Sequence, residues 1–90
     1  MARLNREVIL SNVSEAREEL EQIEAHVRGG GELTDGELSV MFGHTYHHLN
    51  FAWNARRVAD EEYRDLKDED FNAWGKFPTD IEPYTVGEAD

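Results

Sequence analysis

The chain contains no cysteine, which excludes disulfides and thiolate-bound metals as supplements to its core. A chain of 90 residues buries only about 60% of its unfolded surface, so a lone core of this size is marginal. What remains as a supplement is a non-thiolate metal or a partner subunit. Basic residues are scarce: nine Lys and Arg stand against 20 Asp and Glu, for a net charge of −11. That balance argues against nucleic acid as a partner, because phosphate recognition requires clustered Lys and Arg. Long apolar runs are also missing. Val8-Ile9-Leu10 is too short for a signal-peptide core, and nothing approaches the roughly 20 residues of a membrane span. The expectation is a cytoplasmic protein with no membrane association. Asn12-Val13-Ser14 matches a glycosylation acceptor, which has no meaning without secretion.

The acidic residues are unevenly spread. Eleven lie between Asp60 and Asp90, where only Arg64, Lys67 and Lys76 oppose them. None lies between Leu38 and Ala59, a stretch that carries His44, His47, His48, Arg56 and Arg57. So long a helical stretch without carboxylates predicts a largely buried helix; the alternative is a docking surface for something anionic.

The apolar series Ile9, Val13, Ala16, Leu20, Ile23 and Val27 advances in alternating steps of four and three, the seam of one helix face. Glu15, Glu18, Glu19, Glu21 and Glu24 fill the solvated side. With Asn5 as cap and Gly29-Gly30-Gly31 as stop, the first helix is expected over about 5–28, followed by a loop at 29–33. Thr34 with Glu37 three residues on reads as a capping box, and Leu33 and Leu38 hold the hydrophobic-staple positions. The pattern predicts a second helix over about 34–66. Leu20, Ile23 and Val27 should meet Leu38, Phe42 and Thr45 near the loop, and Ile9 and Val13 should meet Ala52, Trp53 and Ala59 at the far end. A second apolar set, Val40, Phe51 and Val58, lies on the opposite side with His44 and His47, and requires a cover of its own. A short helix is expected over about 68–74, with Asp68 as N-cap and Gly75 as stop, its Phe71 and Trp74 folding with Phe77 onto Tyr63 and Leu66. Beyond it Pro78 and Pro83 imply an extended tail over 75–90, and Gly87 to Asp90 should fray. The fold class predicted is all-α: a single domain over residues 1–90, an antiparallel two-helix hairpin with a short third helix and an extended tail, which dimerises into a four-helix bundle.

His44, His47 and His48 are the candidate metal ligands. Offsets of three and four place them on one arc of a helix, where imidazoles can share a divalent transition metal. The metalloprotease pattern requires Glu after the first histidine, and Thr45 stands there; the di-iron Glu-x-x-His pattern is absent too. A site would need completion by His26, by a glutamate of the first helix or by a second subunit. Histidines filling an amphipathic interface are the simpler reading. Glu15, Glu18 and Glu19 with Glu62 and Asp65 resemble the Mg²⁺-binding acids of all-α nucleotide pyrophosphohydrolases. In those enzymes the acids face inward, whereas the seam here turns the three glutamates to water. Tyr46, Trp53, Tyr63, Phe71, Trp74 and Phe77 read as core rather than as a binding pocket. Asn50 and Asn54, between two apolar sides, require partners if buried. No catalytic residues and no bound cofactor are expected. The functional expectation is a non-enzymatic interaction or regulatory module acting as a homodimer, its acidic C-terminal region meeting a basic protein. The alternative is a metal- or ligand-binding bundle using the histidine face. If two copies bury His44 and His47 against each other, acid should loosen the dimer.

Overall fold

The computed structural model describes residues 3–86 and contains four helices: α1 (Arg6–Arg28), α2 (Asp35–Asn54), α3 (Asp60–Arg64) and α4 (Asp68–Trp74). The expectation of fraying at Gly87 to Asp90 lies outside the described residues. Asn5 caps α1, its side chain accepting from the backbone N–H of Val8 at 3.2 Å. The Thr34 hydroxyl accepts from the Glu37 N–H at 3.1 Å, and the Glu37 carboxylate accepts from the Thr34 N–H at 3.0 Å, closing the capping box at the head of α2. Those bonds to Thr34 hold the Glu37 carboxyl below its usual range. Gly30 takes a φ of 74°, a conformation that suits glycine, to turn the chain between the helices.

The hairpin forms, but α1 is rotated from its expected setting. The inward line is Val8, Asn12 and Ala16, each buried. Val13, Leu20 and Val27 stay 43%, 53% and 55% exposed. A buried asparagine explains the difference. Asn12 Nδ2 donates to the Val8 carbonyl at 2.9 Å and to the Tyr63 hydroxyl at 3.0 Å, so an amide occupies the interface without an unmet polar group. The same burial closes the glycosylation reading of this site. Glu19 and His44 are in contact, as are Asn12 and His48, which fixes the antiparallel register.

The second helix ends at Asn54 rather than near residue 66. Asn54 Nδ2 donates to the carbonyls of Trp74 at 2.8 Å and Lys76 at 2.7 Å. Arg56 reaches back to the Trp53 carbonyl at 2.7 Å, and its guanidinium lies 3.8 Å over the Trp53 ring. Asn5 then takes the loop: its Nδ2 donates to the Val58 carbonyl at 2.7 Å and to Asp60 Oδ1 at 2.9 Å, and its N–H donates to the Arg56 carbonyl. The Arg56 and Val58 carbonyls, which a continuing helix would use internally, are taken instead by the backbone N–H and the side chain of Asn5. Asp60, Glu61 and Glu62 then open α3, where their charge suits the positive end of a helix.

The later helices lie on one side of the hairpin. Tyr63 of α3 stacks on Trp74 of α4 at 6.1 Å and 14°, as the sequence suggested. Phe51 is 3% exposed, packed between His47, Phe71 and Trp74. The Val40–Phe51–Val58 side is therefore covered at its centre by α4 of the same chain, while Val40 remains 73% exposed. Leu66 and Phe77 are not part of this packing; both are exposed, and Phe77 meets Tyr46 instead. Lys67, not Asp68, occupies the N-cap of α4, with no side-chain cap bond. The fold is thus two layers, the hairpin and the α3–α4 pair, consistent with a smallest extent of 20 Å. Among the described residues no helix is long and apolar enough to cross a membrane.

Asn5 joins the start of α1 to the α2–α3 loop, so Asn5→Ala removes a cap and two further bonds together. Urea unfolding should show a loss of about 2 kcal/mol, the top of the range for a single cap. Phe51→Ala should cost about 3–5 kcal/mol as a cavity between the layers.

Candidate functional site

The three histidines sit where α2 meets both α1 and α4, and each addresses a different neighbour. His44 Nδ1 lies 3.1 Å from Glu19 Oε1 of α1, an ion pair when the imidazole is protonated. His48 Nδ1 lies 3.5 Å from Asn12 Oδ1. His47 turns away to α4, with ring centroids 4.7 Å from Phe51 and 4.9 Å from Phe71. The rings of His44 and His48 are 5.0 Å apart and those of His47 and His48 5.3 Å apart. Glu19 is the glutamate of the first helix that could complete a site, whereas His26 lies at the loop end of the hairpin beside Glu37. Among the described residues no group of three or more His, Cys, Asp or Glu side chains is placed to hold a metal ion. Glu15, Glu18, Glu62 and Asp65 are exposed and Glu19 is half-buried, and among the described residues the acids resembling a Mg²⁺ site form no group that could hold a metal.

What the arrangement does is clasp the C-terminal segment. Asn50 Nδ2, in a buried residue, donates to the Gly75 carbonyl at 2.9 Å, and Asn54 holds the carbonyls on either side. Gly75 passes so close to His47 that a Cβ there would lie 3.1 Å from Nδ1, which is why this stop position favours glycine. Neither asparagine uses a histidine as partner. Backbone carbonyls of the incoming segment supply the acceptors, a signal no periodicity contains.

Past the clasp the chain crosses the outer side of α2. Phe77 meets Tyr46 edge to face at 5.3 Å, and Trp53 Nε1 donates to Asp80 Oδ1 at 2.9 Å. That indole bond is the main reason the Asp80 carboxyl sits below its usual range, with Arg56 contributing. Between the tail and α2 runs an apolar groove of about 760 Å³, lined by Tyr46, Leu49 and Trp53 on one side and Pro78, Ile81 and Tyr84 on the other. The six aromatics named from sequence therefore divide. Tyr63, Phe71 and Trp74 join the layer contact, whereas Tyr46, Trp53 and Phe77 border this groove.

No family model matches the chain, and no curated protein or solved structure is significantly similar to it. The reading of its function rests on its own geometry.

Acid should loosen the α4 clasp. Burial, with the neighbouring His48 and His44, pushes the His47 pKa below the ordinary 6.5. A base whose pKa is lowered by folding binds its proton more readily when unfolded or undocked. Its contribution is full above about pH 6.5 and is lost as pH falls through the folded-state value. Thermal melts from pH 8 to pH 5 should show the loss in the wild type, and a weaker pH dependence in His47→Phe. A wild-type melting temperature that rises on acidification would mean that imidazolium–carboxylate pairing, such as His44 with Glu19, dominates instead.

Proposed function

We propose that this chain is a non-enzymatic interaction or regulatory module that acts as a homodimer. The observation that carries the reading is the surface left over in one copy. A folded monomer of 10.4 kDa is expected to expose about 5,400 Å². This chain exposes 7260 Å², and its radius of gyration is 15.6 Å against about 12 Å for a compact chain of its length. Part of the excess is the extended tail, where Tyr84 and Val86 are almost wholly exposed. Another part is helical. Half-exposed Val13, Leu20, Val27, Phe42 and Leu49 belong to the two long helices. The apolar core holds only Val8, Ala16, Phe51, Ala52 and Ala55 as buried residues among those described.

A second copy would supply the cover that this core lacks, since stable dimers remove about 800 Å² or more from each partner. The acidic end of the molecule remains available in such an assembly. Glu61, Glu62, Asp65, Glu69 and Asp70 border a concavity of about 480 Å³ at the junction of α3 and α4, with Lys67 the one basic residue lining it. It is the natural docking point for a basic partner protein, with attraction that weakens as salt screens it.

Sedimentation equilibrium should give twice the chain mass, and the melting temperature should rise with protein concentration, because dissociation accompanies unfolding in a dimer whose subunits depend on each other. A single-chain mass at every concentration, with a concentration-independent melt, overturns the reading.

A further inference from the structure

We infer that the second copy docks on the hairpin face opposite α3 and α4, with α1 of each copy lying on α2 of the other. The inference rests on the homodimer reading above and specifies its surface.

The placement of the exposed residues supports the face. Val13, Leu20 and Val27 recur at intervals of seven on α1, a spacing that keeps them in one column. They flank the buried line of Val8, Asn12 and Ala16. On α2, Phe42 and Leu49 are likewise seven apart, as are Tyr46 and Trp53, and all four flank Thr45 and Ala52, which face α1. At 100° per residue, and with the two helices antiparallel, both columns turn to the same side of the hairpin. Tyr63, Phe71 and Trp74 occupy the other side, against Asn12, His47 and Phe51. One face of the hairpin therefore carries a second layer, and the other carries the half-exposed Val13–Leu20–Val27 and Phe42–Leu49 columns, bordered by Tyr46 and Trp53 where the tail crosses. The sequence pattern had assigned the α1 column to the chain's own core and had left the Phe51 side open; folding reverses the two.

The register selects the arrangement. The contacts Glu19–His44 and Asn12–His48 place Val13 level with Leu49, and Leu20 level with Phe42, to within about one residue. A two-fold axis running along the helices sets each such pair against itself, side for side. Val13 and Leu49 meet their own copies in one four-residue layer, and Leu20 and Phe42 in the next, which is how a four-helix bundle fills its core. Charge favours the same pairing. Residues 6–28 of α1 carry six glutamates against three arginines, whereas residues 38–59 carry no carboxylate. Laying α1 on the partner's α2 puts the acidic helix on the carboxylate-free one; laying α1 on α1 would put two acidic helices together. The groove beneath the tail shares Tyr46, Leu49 and Trp53 with this face and would be walled on its open side by the partner's α1.

Absence of cysteine makes the test direct. Leu20→Lys with Leu49→Lys should raise the dimer dissociation constant by about thirtyfold or more, with the helical circular dichroism retained, while Val40→Lys on the other side leaves it unchanged. Chains carrying Leu20→Cys mixed with chains carrying Phe42→Cys should form intermolecular disulfides under mild oxidation, and Leu20→Cys alone should not. Disulfides from Leu20→Cys alone, as fast as from the mixture, would place α1 on α1 and overturn the arrangement. An undiminished dimer in the double lysine variant would overturn the face while leaving the homodimer standing. A monomeric wild type overturns both.

Discussion

Side-chain amides hold this fold together where a larger protein would rely on apolar contact. Burial of one small aromatic cluster and a few small residues cannot by itself fix two layers and a crossing tail. Asn5 joins the start of α1 to the loop before α3; Asn12 reaches from α1 to Tyr63; Asn50 and Asn54 hold three consecutive carbonyls around Gly75. Each bond contributes on the order of 1 kcal/mol when made, and costs more when one partner is removed and the other stays buried. Their value lies in direction. Apolar contact tolerates sliding, whereas an amide donating to a given carbonyl fixes the position of the segment along the helix.

That constraint links the ends of the chain to its middle. The α2–α3 loop is held by a residue just before α1, and the segment after α4 by residues at the end of α2. The histidines sit between these attachments. His47 is placed by its contact with Phe51 and Phe71, so in the fold the histidines form a joint between layers. An imidazole is well suited to such a position: it packs like an aromatic ring when neutral and resists burial when charged.

Local signals were legible in the sequence wherever a short-range rule governs them. The Asn5 cap, the Thr34–Glu37 box, the glycine turn and the short helix ending at Gly75 all follow from backbone groups satisfied within a few residues. The end of α2 was not legible, because it is set by Asn5 and Lys76, far away in sequence, though the run Asp60-Glu61-Glu62 inside the supposed helix was a visible sign of a new helix start. The face of α1 was misassigned because hydrophobic spacing gives no weight to an asparagine. Asn12 looked like a surface residue; its partners, Tyr63 and the Val8 carbonyl, make it an interior one. For the histidines the shared arc was foreseen, but not the three separate neighbours to which they turn.

The two faces of the hairpin are unequal, and under the proposed homodimer that asymmetry sets how far association can proceed. A particle with adhesive patches on both sides recruits a new neighbour with every addition and grows into a filament. A particle with one self-complementary patch exhausts it in the first encounter. By covering Phe51 from within the chain, α4 removes apolar surface from that side, so in the proposed homodimer the same short helix that completes the fold also limits the valence of the molecule.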